Sequence, residues 1–144
     1  MQRMRLIDSV KMKPAFLSAF LSALLLVTAL AVPIAPAAAA PPPAATQAEV
    51  THLFAYLAGS NCQFNRNGSW YSAPDAAAHL KKKYDYLADK GAISTSESFI
   101  ELGASKSSVS GKPYLVKCGQ AQPVESAPWL GAELARYRQK AAGK

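Results

Sequence analysis

The residues whose types and spacing could support chemistry lie close together in the middle of the chain. Arg66 and Asn67 precede Gly68, and an Asn-Gly pair is the preferred sequence for a tight type I′ hairpin turn. His79 and Lys83 follow at a spacing of four, which places both side chains on one face of a helix. If these groups meet, a guanidinium, an imidazole and an ammonium group would suit a carboxylate or a phosphate.

A serine-rich loop further along the chain supplies hydroxyl groups that could complete such a site. It does not match a nucleotide-binding P-loop, because seven residues instead of four separate Gly103 from Gly111. The loop contributes instead if the hairpin folds back towards it, where its hydroxyl groups would donate to an anion. The candidate anion-binding residues are therefore Arg66, Asn67, His79, Lys83, Ser105, Ser107 and Ser108.

Two other uses of these residues remain open. A serine could act as a nucleophile with His79 as its base, since such pairs form in space and not in sequence. The sequence contains neither Gly-x-Ser-x-Gly nor Ser-x-x-Lys, so no catalytic residue is assigned. A purely structural alternative pairs Arg66 with Asp75 or Glu97 and leaves the serines to cap turns. The favoured function is non-catalytic binding or interaction, and a small hydrolase is the alternative.

Composition excludes several classes of function. The whole chain has a net charge of +7, but residues 40–144 contain twelve basic and eight acidic residues, a net charge of +4. This charge is too small to indicate a nucleic-acid partner. His52 and His79 are the only histidines, and no pair of ligands has the spacing of a metal motif. We therefore predict no metal ion and no cofactor.

The first third of the chain has the pattern of a secretory signal peptide. Basic residues precede an apolar run from Ala15 to Val32, and an alanine-rich segment follows. We predict a signal peptide over residues 1–39, cleaved after Ala37 or Ala39. The alternative is a membrane anchor, but the run is near the lower length limit and no basic cluster follows it. The expected protein is periplasmic, has no stable membrane anchor after cleavage, and binds an envelope protein or a small anionic ligand.

Two cysteines, Cys62 and Cys118, remain in the predicted mature chain. An even number of cysteines in a small exported domain favours a disulfide, because the compartment is oxidising. With only two cysteines the pairing is forced. We therefore predict a Cys62–Cys118 bond.

A helix with clear local signals carries His79 and Lys83. Ser72-x-x-Asp75 is a capping box, and Pro74 would occupy the first helical turn, where a missing amide hydrogen costs nothing. The helix is predicted to run to about Lys90 and to end at Gly91. Further capping signals predict three other helices, with boxes at Thr46-x-x-Glu49 and Ser94-x-x-Glu97 and a cap at Ser126.

The strand signals are short. Residues 62–64 and 69–71 flank the Asn-Gly turn, and residues 114–118 form a later apolar run. The fold class predicted from these signals is α+β, with about four short helices and a small antiparallel sheet. Residues 40–45 would form a Pro/Ala-rich leader, and residues 46–144 a single small domain.

Four motifs occur in order along this domain: Phe64-x-Arg66-Asn67-Gly68, Ala78-His79-Leu80-x-x-Lys83, Ile93-x-Thr95-x-x-x-Phe99-Ile100, and Ala104-Ser105-x-Ser107-Ser108-x-Ser110-Gly111-x-Pro113-Tyr114. Together they resemble the YfeK-like family, a group of small exported bacterial proteins with a domain of unknown function. The resemblance spans roughly Thr46 to Cys118. It implies a periplasmic setting and supplies no activity, substrate or catalytic residue.

Overall fold

The structure is a computed structural model that describes residues 39–143. The predicted signal peptide lies outside this range except for its last residue. The described chain forms four helices and four strands. Their bounds are α1 Ala44–Ala58, β1 Gln63–Arg66, β2 Ser69–Ser72, α2 Ala73–Asp89, α3 Ser96–Phe99, β3 Leu115–Lys117, β4 Val124–Glu125 and α4 Ser126–Ala142, with a π-helical turn over Ile100–Ala104 after α3.

The four strands form one antiparallel sheet with the order β2-β1-β3-β4. The predicted α+β class is therefore confirmed, as are the hairpin and the later strand. The short strand β4 was not predicted, because its two residues lie at the end of a turn-rich segment, residues 119–125. Its strand conformation depends on pairing with β3, where Val124 lies opposite Val116.

The core lies between the helices and one face of the sheet. Phe64 of β1 and Val116 of β3 are neighbours on that face, and both are buried. Leu53 of α1 and Leu130 of α4 are almost fully buried in the same cluster. Helix α1 packs against α2, α3 and α4, so it forms the centre of the helical layer. No helix within residues 39–143 is long and apolar enough to cross a membrane.

The hairpin and the start of α2 form as the local sequence predicts. Asn67 and Gly68 have φ values of 54° and 90°, the positive values that a type I′ turn requires. The Ser72 hydroxyl oxygen accepts a hydrogen bond from the backbone N–H of Asp75 at 3.3 Å and caps α2. Beyond the end of α2, Gly91 has a φ of 66°, as expected for a left-handed residue after a helix.

The prediction of a capping box at Thr46 was wrong. Helix α1 begins at Ala44, and the Thr46 hydroxyl donates to the carbonyl oxygen of Ser94 at 3.2 Å. Glu49 accepts hydrogen bonds from Arg138 and from Ser96. Both side chains therefore join α1 to distant segments, and tertiary contacts take the place of the local cap.

Two other caps differ in detail from the prediction. The box before α3 is displaced by one residue: the Thr95 oxygen accepts from the Ser98 N–H, and the Ser98 oxygen accepts from the Thr95 N–H. Ser126 is the first residue of α4 and not its cap. Its buried hydroxyl donates to the carbonyl oxygen of Ala104, so it ties α4 to the π-helical turn.

The predicted disulfide is present. Cys62 precedes β1 and Cys118 follows β3, and their Cα atoms are 4.2 Å apart. Because Gln63 lies opposite Lys117 in the sheet, the bond continues the pairing of these strands by one position.

A salt-bridge network at the surface joins three helices. The Arg138 guanidinium of α4 donates to both carboxylate oxygens of Glu49 in α1, at 2.7 and 2.8 Å, and also to Glu97 in α3. These side-chain hydrogen bonds stabilise the charged form of each group. They are the main reason why the pKa of Arg138 is raised and the pKa values of Glu49 and Glu97 are lowered.

We expect Arg138→Ala to lower the free energy of unfolding by about 1 kcal/mol, because it removes a two-partner network at a partly exposed site. Lys81→Ala is the matched control, since Lys81 forms an exposed bridge to Asp85 one helical turn away. It should lower the free energy by only about 0.3 kcal/mol. Urea denaturation of both variants measures the difference in free energy of unfolding. Equal losses in the two variants would show that the Arg138 network stabilises the protein no more than the single Lys81–Asp85 pair does.

Candidate functional site

A cleft of about 490 Å³ lies between the hairpin, α2 and α4. Its inner wall is apolar and continues into the core, and its outer part carries polar and charged groups. A volume of this size is typical of small-molecule sites. The inner wall contains Leu57, Phe64, Leu80, Ala104 and Leu130, and the outer part contains Arg66, Tyr71, Asp75, His79, Lys82 and Tyr114.

Arg66 lies at the end of β1, just before the Asn-Gly turn, and is half-buried. Its Nη1 lies 2.6 Å from Nδ1 of His79, and its Nη2 donates to the hydroxyl of Tyr71 at 3.3 Å. The centre of the guanidinium is 4.8 Å from the centroid of the Tyr71 ring, a cation–π arrangement. Within residues 39–143, the guanidinium is therefore held in place by an imidazole and a phenol, and by no carboxylate.

His79 accepts a hydrogen bond from Arg66. A guanidinium has only donors, so the Nδ1 atom facing it carries the lone pair, and the proton of the neutral ring lies on Nε2. Burial lowers the pKa of His79, and the charges of Arg66, Lys83 and Lys82 lower it further. The neutral ring thus offers an N–H group at Nε2.

Lys83 lies one turn after His79 on the same helix and is also half-buried. Its Nζ donates to the carbonyl oxygen of Lys106 at 3.4 Å and lies 5.2 Å from the centroid of the Tyr114 ring. Burial lowers the pKa of Lys83, and the nearby charge of Arg66 lowers it further. Lys83 therefore links α2 to the serine-rich loop at the edge of the cleft and does not line the cleft itself.

The serine-rich loop lies next to this cluster, but its serines hold the loop together. The Ser107 oxygen is buried and accepts from the backbone N–H groups of Val109 and Ser110 at 3.3 Å. Ser105 donates to the carbonyl oxygen of Glu101, and the exposed Ser108 takes part in no hydrogen bond within residues 39–143. None of the three lines the cleft.

Asn67 has a similar structural role. Its Oδ1 accepts a hydrogen bond from the Ser110 hydroxyl at 2.6 Å, so the hairpin turn is joined directly to the serine-rich loop. Of the seven candidate residues, the structure brings Arg66 and His79 into the cleft and places Lys83 at its edge. Asn67 and the three serines support the surrounding backbone.

The tyrosines of the cleft were not among the candidate residues. The sequence did contain a signal for Tyr71. The Asn-Gly hairpin places Tyr71 opposite Phe64, and Arg66 lies on the same face of the sheet as Phe64 because side chains alternate between faces along a strand. Tyr114 carries no comparable local signal. Its side chain reaches the cluster from the segment before β3, where burial raises the pKa of Tyr114 and the nearby charge of Arg66 lowers it.

Arg66 has no acidic partner among the described residues. The structural alternative paired it with Asp75 or Glu97, and neither pair forms. Asp75 accepts a hydrogen bond from Ser72 at 2.6 Å, and Glu97 is bound by Arg138. A half-buried cation without an acid is uncommon, because burial of a charge is unfavourable unless it is paired.

The hydrolase alternative finds no support in the geometry. Neither Ser107 nor Ser108 hydrogen-bonds to His79 in the part of the chain that the structure describes. The Nδ1 lone pair faces a guanidinium, and Nε2 carries the proton, so His79 has no free lone pair with which to act as a base. No group of three or more His, Cys, Asp or Glu residues within positions 39–143 is arranged to hold a metal ion.

The lowered pKa of His79 predicts a pH-dependent loss of stability. The unfolded chain takes up a proton near the ordinary pKa of 6.5, whereas folded His79 does so only at lower pH. Between these two pKa values the unfolded state binds more protons, so the free energy of unfolding should fall as the pH drops below 6.5.

Chemical denaturation at a series of pH values measures this effect, with His79→Gln as the comparison. The variant should lose the slope just below pH 6.5. Below pH 4.5 the variant should still lose stability as the pH falls, because the pKa values of Glu49, Glu97 and Glu133 are lowered in the folded protein. An identical profile for both proteins would contradict the assignment of a neutral, half-buried His79.

The fold and the cleft define a small α+β domain that is closed by one disulfide. The outer end of its apolar cleft carries Arg66, which has no acidic partner within residues 39–143. The chain belongs to the family of unknown function DUF5329, whose model matches residues 44–138. The match begins at the first residue of α1 and reaches the last turns of α4. No curated protein and no solved structure matches the chain.

Proposed function

We propose that this protein is an exported periplasmic binding module that holds an anionic ligand in the Arg66 cleft and does not transform it. The observation that carries the proposal is the half-buried Arg66 guanidinium, which contacts His79 and Tyr71 but no carboxylate within residues 39–143. An anionic ligand would provide the negative charge that this cation lacks.

The donors around Arg66 favour an anion over any other polar group. A guanidinium has five N–H donors, and the contacts with His79 and Tyr71 use two of them. The remaining donors of the planar group can bind two oxygens of one carboxylate or phosphate at once. His79 adds an Nε2–H donor on the neighbouring helix. The favoured ligand therefore carries a charged group with at least two oxygens.

The proposed location has two independent supports. The amino-terminal third of the sequence has the pattern of a signal peptide with cleavage after Ala37 or Ala39. The disulfide between Cys62 and Cys118 is typical of proteins in an oxidising compartment. Within the family of unknown function, we propose that the chain is YfeK-like, on the basis of the four ordered motifs between Phe64 and Tyr114.

Mass spectrometry of small molecules that co-purify with the exported protein tests the proposed function. The wild-type protein should carry an anion that is lost or depleted in Arg66→Gln. Lys112→Gln is the matched control, because it removes one positive charge from an exposed loop position outside the cleft. An anion retained equally by all three proteins, or depleted equally in both variants, would contradict the proposal.

A further inference from the structure

We infer that the ligand is a monoanionic amphiphile, with a carboxylate at Arg66 and an apolar tail that runs along the inner wall of the cleft. This inference rests on the proposed function and specifies its ligand class. Three features of the cleft support it: the apolar inner wall, the lack of free polar groups at its inner end, and the small net charge of its outer part.

The inner wall of the cleft is made of core residues. Leu57, Phe64, Leu80 and Leu130 line it, and each is less than a tenth exposed. The cleft therefore reaches into the hydrophobic core and does not stop at the surface. Water inside it would face apolar walls with few hydrogen-bond partners, so replacement of that water by an apolar group is favourable.

The polar group at the inner end is already bonded. Ser126 lines the cleft, and its buried hydroxyl donates to the carbonyl oxygen of Ala104. No buried side-chain nitrogen or oxygen within residues 39–143 lacks a hydrogen-bond partner. A sugar or nucleoside placed there would leave its own polar groups without partners, which is unfavourable. An alkyl tail has no such groups.

The charged side chains that line the outer part of the cleft, Lys83 at its edge not included, sum to one net positive charge. Arg66 and Lys82 are cations, Asp75 is an acid, and His79 is neutral. This balance matches a single negative charge better than the two charges that a phosphate monoester carries at pH 7. A carboxylate also fits the planar guanidinium through two parallel hydrogen bonds.

Isothermal titration of the exported, disulfide-bonded protein with acetate, hexanoate, octanoate, octanol and inorganic phosphate tests the inference. Each buried methylene should raise the affinity about fourfold, so octanoate should bind roughly 15-fold more tightly than hexanoate. Octanoate should also bind more tightly than octanol. Arg66→Gln should reduce the octanoate affinity at least about tenfold and leave the octanol affinity unchanged, because only the carboxylate uses the guanidinium.

A pair of substitutions on helices, one in the cleft and one outside it, tests whether the apolar tail lies along the inner wall. Ala76→Leu places a larger side chain in the cleft and should weaken octanoate more than acetate. Ala55→Leu is the control, because it makes the same change at an exposed position of α1 outside the cleft. Circular dichroism verifies that each variant is folded. If Ala76→Leu does not fold, the chain-length series in the wild-type protein tests the tail by itself.

The possible results separate the two proposals. Equal affinities for acetate, hexanoate and octanoate, all reduced by Arg66→Gln, would overturn the amphiphile and retain the anion site. If phosphate binds in an Arg66-dependent manner and octanoate does not bind, the amphiphile is likewise overturned and the anion site is retained. If no anion binds in an Arg66-dependent manner, both the inference and the proposed function are wrong.

Discussion

Loss of the disulfide should lower the free energy of unfolding by about 4 kcal/mol. Cys62 and Cys118 are 56 positions apart, so the bond removes a large amount of conformational entropy from the unfolded chain. For a domain of this size, 4 kcal/mol corresponds to a fall in melting temperature of roughly 15 °C. It is also a large share of the roughly 5–15 kcal/mol that stabilises a typical domain.

Thermal melts of Cys62→Ser and of the Cys62→Ser/Cys118→Ser double variant, with and without reductant, measure this effect. Both variants should melt at the temperature of the reduced wild-type protein, and reductant should not change them further. The reduced wild-type protein is the control for the new hydroxyl at the buried position of Cys62, because it lacks both the disulfide and that hydroxyl. A wild-type melting curve that does not respond to reductant would contradict the prediction.

Phe99→Ala should have an effect of similar size, about 3–5 kcal/mol. Phe99 is fully buried where α3 meets the π-helical turn, and its ring packs edge-on against those of Phe54 and Tyr84. Removal of the ring leaves a cavity among three helices. Gly103 lies so close to Phe99 that an added Cβ would be 3.0 Å from the ring, so the surrounding backbone is already in tight contact with it.

Leu102→Ala is the control for this prediction. Leu102 lies in the π-helical turn that follows Phe99 along the chain, but about half of its surface is exposed. Its truncation should change the free energy of unfolding by less than about 1 kcal/mol. Guanidinium denaturation of both variants provides the comparison. A loss at Phe99 no larger than the loss at Leu102 would show that the Phe99 ring does not hold the helices together.

The parts of the fold that the sequence predicts are those that depend on local chemistry. The Asn67-Gly68 turn and the Ser72 cap follow from the backbone preferences and hydrogen bonds of neighbouring residues. The Thr46 box has equally good local signals, yet it does not form. Glu49 lies 89 positions from Arg138 in the sequence, and that distant salt bridge determines where the carboxylate points.

In the candidate site, too, the contacts that depend on neighbouring residues could be predicted and those that depend on distant residues could not. The Arg66–His79 contact was foreseeable, because a two-residue hairpin returns the chain to the start of the helix that carries His79. The position of the serines was not foreseeable. The buried oxygen of Ser107 accepts from its own loop, and Tyr114 approaches the cluster instead. The conformation of a ten-residue loop depends on such tertiary contacts, which carry no periodic signal in the sequence.

The central claim is that the Arg66 guanidinium is the anion-binding group of the cleft. Nuclear magnetic resonance of the labelled, disulfide-bonded protein during titration with octanoate tests it most directly, because this method follows the Arg66 Nε–H and the His79 ring as separate groups. We predict saturable shifts of both signals together with Tyr71 and Tyr114, at the same concentrations that calorimetry reports. Shifts confined to exposed lysines outside the cleft, such as Lys81 and Lys112, with Arg66 and His79 unchanged, would contradict the claim.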